Sequence, residues 1–192
     1  MLRTFLSVLF ILVMLSVPTV YHPTRAARAG TPVYAQENKE AVRLRTRDQL
    51  AQLLAKVGPD IKVSFTRSSK KPFIYVGSLR TGLINADSLE INISVTPDDT
   101  IGFRIYPHYK NAYINVDKVK KSAGLMRLLL RLSDGAFLFW GADSSGDIFT
   151  GYTFTLESGF PEEAIRIVLR SIVNSDKFIG EMRPYIDETR AP

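Results

Sequence analysis

Leu89, Ile91, Ile93 and Val95 alternate strictly with Glu90, Asn92 and Ser94, the plainest period-two pattern in the chain. Such alternation predicts a strand in a sheet with one covered face. Pro97-Asp98-Asp99 is a turn sequence, and Phe103 and Ile105 carry the alternation on through residues 101–106. Pro107 lacks a backbone N–H, so it ends that strand or holds it at an edge. Ahead of these, Ile61, Val63 and Phe65 alternate with Lys62, Ser64 and Thr66. Residues 68–72 form a polar turn, and the run 73–76 is a second strand closed by Gly77. Residues 83–87 show neither period and read as an irregular connection.

Helical spacing brackets the strands. Thr46-x-x-Gln49 is a capping box, in which each side chain satisfies the other residue's free backbone N–H. Leu50, Leu53, Leu54 and Val57 follow at helical intervals, and Gly58-Pro59 stops the helix. A second helix runs from Asn115 or Asp117 to Leu132, and its later half (Leu125, Met126, Leu128, Leu129, Leu130, Leu132) is apolar nearly all round. Such a helix is buried on more than one side. Gly135 stands where a helix end wants a left-handed residue. Residues 137–142 and 148–156 then pair as a hairpin across Asp143-Ser144-Ser145-Gly146-Asp147. A long last helix opens at Pro161-Glu162-Glu163, where proline suits the first turn and the acids suit the positive dipole end. Its stripe is Ala164, Ile165, Val168, Leu169, Ile172, Phe178, Ile179 and Met182. The predicted fold is α+β, an antiparallel sheet packed against three helices in the order α-β-β-β-(β)-α-β-β-α.

This order resembles the type III secretion chaperone-like (Tir chaperone-like) fold. The 125–186 block resembles its bacterial YbjN-like branch. The matching residues are the helix Leu125-Met126-Arg127-Leu128-Leu129-Leu130-Arg131-Leu132-Ser133, the strand–turn–strand through Asp143-Ser144-Ser145-Gly146-Asp147-Ile148, and the helix opening Pro161-Glu162-Glu163-Ala164. The resemblance implies a non-enzymatic domain that dimerises and binds partner peptides along a helix-and-sheet surface. The secretion chaperones are cytosolic. This chain departs from them in its first residues.

Residues 5–17 are apolar apart from Ser7 and Ser16, follow Arg3, and end at Pro18. That is the layout of a secretory signal peptide, and the run is too short for a bilayer-spanning helix. Small-x-small cleavage sites follow at Ala27-Arg28-Ala29 and Val33-Tyr34-Ala35, the second preferred. The rival reading is an uncleaved anchor. Either way the folded part lies outside the cytoplasmic membrane, periplasmic or secreted. The expected organisation is a leader or anchor over 1–35, a linker over 36–45, one domain over 46–188 and a tail over 189–192.

Composition bears this out only in part. The 192 residues are 45% hydrophobic and 23% charged, as in a folded domain. The net charge of +6 falls to +3 without residues 1–35, leaving 22 basic against 19 acidic residues. The absence of cysteine excludes disulfides, thiol chemistry, Cys-based zinc sites and a lipoprotein anchor.

No residue set makes a convincing active site. His22 lies in the leader, so the domain has His108 alone, without a second metal ligand at suitable spacing. No Gly-x-Ser-x-Gly surrounds any serine. A small hydrolase using His108 with carboxylates is the alternative function. The 143–147 segment lacks the glycine and glutamate of a calcium loop, whose positions hold Ile148 and Phe154, so it reads as a turn. Glu162 can pair with Arg166 one turn on. Lys39, Arg43, Arg45, Arg47, Lys56, Lys62, Arg67, Lys70 and Lys71, with Tyr75, could touch anionic lipid weakly, whereas the interspersed acids argue against nucleic acid. Phe137, Leu138, Phe139 and Trp140 make both faces of one strand apolar, as in a central strand or an interface.

The expected function is therefore non-catalytic binding of a protein or peptide by a homodimer, with no cofactor and no metal. Leu128, Leu132, Trp140 and Tyr152 are the candidate interface. A third reading is a membrane-tethered module resting on lipid. Mass spectrometry of the exported protein should find an N-terminus at Gln36 or Gly30. An intact Met1 would mark the anchored form instead.

Overall fold

Strand β3 (Ser88–Val95) buries Leu89, Ile91, Ile93 and Val95 on one face, as its alternation predicts. It pairs antiparallel with β2 (Ile74–Leu79) on one side and β4 (Thr100–Tyr109) on the other, with Ile91 opposite both Gly77 and Ile105. β4 pairs with β7 (Ile148–Thr155), and β7 with β6 (Phe139–Ala142). Short strands β1 (Thr66–Arg67) and β5 (Ala112–Tyr113) sit beside β2 and β4. This computed structural model describes residues 34–135 and 137–187. Among them the sheet has seven antiparallel strands, six in the order β1-β2-β3-β4-β7-β6 and β5 paired with β4 off that path. The expected tail, and all but the last two residues of the expected leader, lie outside the described residues.

Helices α1 (Tyr34–Val57), α2 (Ser122–Gly135), α3 (Glu162–Ser171) and α4 (Asp176–Ile186) cover one face of this sheet. A 3-10 turn (Ile172–Ser175) joins α3 to α4, so the expected long last helix is one helical layer with a break. The fold is α+β, an antiparallel sheet packed on one face against α1, α2 and the broken last helix α3–α4. Two apolar clusters hold it. In one, Leu50, Leu54, Ile165 and Leu169 of α1 and α3 meet Ile91, Ile93, Phe103 and Ile105. In the other, Leu125, Leu129, Ile179 and Met182 of α2 and α4 meet Trp140 and Ile148. Among the described residues no helix is long and apolar enough to cross a membrane.

Several expectations are corrected. The 36–45 linker is helical, part of α1. The Arg43 guanidinium donates to the Val95 carbonyl at 3.1 Å and stacks 3.6 Å from the Phe73 ring centre, which fixes this turn to the sheet. Thr46 is consequently a buried residue inside the helix and not its cap. Residues 61–65 are not a strand. Ile61, Lys62 and Val63 donate back to Val57, Pro59 and Gly58, winding the chain into a turn with Lys62 at φ 57°. Val63 and Phe65 still pack on the sheet, because Gly77 has no Cβ to meet them. β2 therefore runs through Gly77 instead of stopping there.

β4 likewise runs through Pro107, which pairs with Leu89. On its other side, β7 stops at Ile105 and β5 starts at His108, so a missing N–H costs no ladder bond at Pro107. The second helix begins later than expected, since the buried Asn115 is committed elsewhere: its amide donates to Ser145 O at 2.7 Å and to Asp147 Oδ1 at 2.8 Å. Gly135 is the last residue of α2 and not a left-handed cap. α2 is not buried all round either. Leu125, Leu128, Leu129 and Leu132 face the core, while Met126 and Leu130 are exposed.

The hairpin turn and the Glu162–Arg166 pair form as expected. Asp143 Oδ1 accepts the N–H groups of Ser145 and Asp147, and Gly146 takes φ 79°.

The irregular segment 80–87 is held by one side chain. The buried Asp176 carboxylate, at the start of α4, accepts the backbone N–H groups of Ile84, Asn85 and Ala86 at 2.8–3.1 Å and the Asn85 amide at 3.3 Å. Replacing it by alanine leaves these donors without an acceptor. Asp176→Ala should lower unfolding stability by about 3 kcal/mol or more, read as a lower urea midpoint at unchanged slope.

Candidate functional site

Since both apolar clusters lie on one face, the opposite face carries no helix among the described residues. Pairing registers put Val76, Asn92, Arg104, Gly151 and Phe139 in one row across five strands of it. Glu90 opposite Tyr106, and Ser88 opposite His108, form the rows beside it.

Aromatic rings form a band over this face. The Phe139 ring lies over Gly151, where a Cβ would meet it at 2.9 Å. Phe139 meets Phe149 edge-on at 5.9 Å, Phe149 meets Tyr106 at 5.7 Å, Tyr106 meets Tyr113 at 5.8 Å, and Tyr113 meets His108 at 4.3 Å. Tyr106 and Phe149 are buried by their neighbours, while Phe139 and Tyr113 at the two ends are 43% and 40% exposed. The Arg104 guanidinium lies 4.7 Å over the Phe149 ring. Beside the band, Lys70, Lys71, Ser68, Asn92, Ser94 and Arg104 line an open groove of about 500 Å³.

Glu90 organises the far end. Its carboxylate accepts the Tyr113 hydroxyl at 2.7 Å and the Asn92 amide at 3.0 Å, and lies 3.6 Å from His108 Nε2. Burial, reinforced by the bond to Glu90, pushes the Tyr113 phenol up to about 12. His108 is thus neither isolated nor bound to a second metal ligand. Among the described residues no three His, Asp or Glu side chains converge on a metal site.

The expected interface residues are not brought together as a surface. Leu128, Leu132 and Trp140 are buried in the α2–α4 cluster, and only Tyr152 reaches solvent, stacked on Phe137 at 4.7 Å. The reason lies in β6. It is an edge strand and not a central one, so Trp140 faces the helices while Phe139 faces the open side. Its outer edge is closed at Trp140, whose backbone N–H donates to Ser133 Oγ at 2.7 Å. Of the basic residues, Lys70 and Lys71 reach the groove, Arg43 is committed to Val95, and Tyr75 turns inward to donate to the Arg47 carbonyl. Sequence reading passed over Arg104, Tyr106, Phe139 and Phe149 as a set. Their parity was visible, because Arg104, Tyr106 and His108 alternate with the buried Phe103 and Ile105.

No protein-family model and no curated protein sequence matches the chain. Among solved structures it is similar to the crystal structure of YbjN from E. coli, at 14% identity and a TM-score of 0.45, over 72% of this chain and 93% of that one. A likeness of this size carries nothing about partner or activity.

The Tyr113 shift has a signed consequence. A phenol held neutral in the fold stabilises it fully below its ordinary value of 10, and that contribution is lost as pH rises from 10 through about 12. Burial moves Tyr75 the same way. Ultraviolet titration should show a tyrosine class ionising near 12, and Glu90→Gln should bring it back toward 10.

Proposed function

We propose that this domain is a non-catalytic binding module that holds a protein or peptide partner against its helix-free sheet face. The observation that carries this is the aromatic band from Phe139 to His108, lying beside a groove lined by Lys70, Lys71 and Arg104. Aromatic side chains and arginine are the residues that concentrate binding energy at interfaces. The groove's three cations and no lining carboxylate select an acidic segment. The sheet's pleat presents the row Asn92, Arg104 and Phe139 at strand spacing, which suits an extended chain.

The proposal includes the features read from the sequence: action outside the cytoplasmic membrane, homodimerisation, and membership of the YbjN-like branch of the type III secretion chaperone-like fold. The antiparallel sheet with helices on one face supports that membership. One observation favours the hydrolase alternative: Glu90 lies 3.6 Å from His108. Under that reading, His108→Ala abolishes ester hydrolysis that the native domain shows. Under ours, neither form hydrolyses the ester.

Titration of the labelled domain with unstructured acidic peptides bearing interspersed apolar residues tests the binding proposal. Backbone resonances of Asn92, Arg104 and Gly151 should move. The pair Lys71→Glu and Arg104→Glu should weaken binding by about tenfold or more while the fold is kept. Shifts confined to the helical face, or tighter binding of single-stranded oligonucleotides than of acidic peptides, would overturn it.

A further inference from the structure

On the helical side the two apolar clusters do not merge everywhere. Leu138 belongs to the first and Trp140 to the second, and both line a cavity of about 260 Å³ between them. Phe137 and Phe178 supply two further aromatic walls, and Ser171, Asn174 and Ser175 border it where the last helical layer breaks into its 3-10 turn. Lys177 contributes the single charge among the lining residues, its ammonium 4.6 Å over the Phe178 ring.

One donor here is left over. Trp140 is 6% exposed, and its indole N–H is buried with no hydrogen-bond partner. A buried donor without an acceptor is costly, and native structures rarely leave one so. The Thr150 and Ser171 hydroxyls, which donate to the Phe139 and Val168 carbonyls, do not come within hydrogen-bond reach of it. Aromatic walls, one cation, one unused donor and no carboxylate define the complementary ligand. It is an apolar group carrying an anionic acceptor.

We propose that this cavity binds an aromatic or branched aliphatic carboxylic acid, with the apolar group between Trp140, Phe137 and Phe178 and the carboxylate held by Lys177 and, once the ligand turns the ring enough to uncover it, by the Trp140 indole N–H. The same chemistry is offered by a free small acid and by the C-terminal residue of a peptide. The cavity lies across the sheet from the peptide-binding face proposed above and is independent of it.

Trp140 is the chain's one tryptophan, so its emission and its single indole N–H resonance report on this site alone. The full domain is titrated with 3-phenylpropionate, with 4-methylpentanoate, with a tripeptide ending in a free Phe carboxylate, and with the corresponding amides. At least one acid should give a saturable change in emission and move the indole resonance. Its amide should bind about tenfold more weakly, and Lys177→Ala should erase most of that difference. Tighter binding of the tripeptide than of the free acids names a peptide C-terminus as the source, and the reverse names a small metabolite. Lys177 is exposed, so the variant tests charge and not folding. Absence of saturable binding by every acid, equal binding of acid and amide, or an unmoved indole resonance overturns the proposal.

Discussion

A single carboxylate sets where the last helix stands against the sheet. Asp176 reaches from the first turn of α4 to the β2–β3 connection and accepts three consecutive backbone N–H groups there. Ala86, one of the three, packs at the border of both apolar clusters. Apolar packing is non-directional, so it cannot by itself fix how α4 is placed against a loop of no regular structure. Charge-assisted hydrogen bonds supply the direction. A carboxylate in the first turn of a helix is also favoured by the helix dipole, so the same group serves the loop and the helix start.

All the described helices pack on one side of the sheet, so its other face has to be self-sufficient. It manages this with its own side chains. Tyr106 and Phe149 are buried although no helix covers them, because Tyr113, Phe139 and Arg104 lie over them. A face built this way has a covered centre and exposed ends, unlike the evenly polar outer face of an ordinary one-sided sheet. Gly151 is what permits it, since a side chain there would displace the Phe139 ring.

Much of the fold was legible, and the failures share a cause. Where periodicity and burial agree, as in β3, the hairpin and the opening of α3, the elements appear as read. Where one residue has a long-range partner, local rules mislead. Thr46-x-x-Gln49 has the letters of a capping box, but Arg43 binds the Val95 carbonyl and carries the helix past it. Asn115 has the letters of a helix start, but its amide is spent on the hairpin turn. Pro107 reads as a strand end or an edge position, and the second holds locally: the strand continues because it has no ladder partner on one side at that point. The site was less legible than the fold. Leu128, Leu132 and Trp140 turned out to be core, while the exposed apolar side chains of the same runs are Met126 and Leu130 on α2 and Phe137 and Phe139 beside Trp140. A one-residue change of parity moves a strand side chain to the opposite face, so assigning β6 to the centre or the edge of the sheet decides which residue is surface.

The break in the last helical layer follows from the same logic. The apolar stripe Ile165, Val168, Leu169 and Ile172 continues at Ile179 and Met182, and helical spacing places Ser175 and Asp176 between them on the buried side. Both are buried. A carboxylate on an apolar stripe cannot face a hydrocarbon core unpaired. Here the backbone N–H groups of 84–86 come to it, and the helix tightens into its 3-10 turn just ahead. The residues of that turn then cannot close against Trp140 as a continuous apolar ridge would, and the space left between the clusters is the cavity that Asn174 and Ser175 border. The polar pair in the stripe, visible in the sequence as a gap in its hydrophobic spacing, therefore underlies both the Asp176 contact with residues 84–86 and the cavity between Leu138 and Trp140.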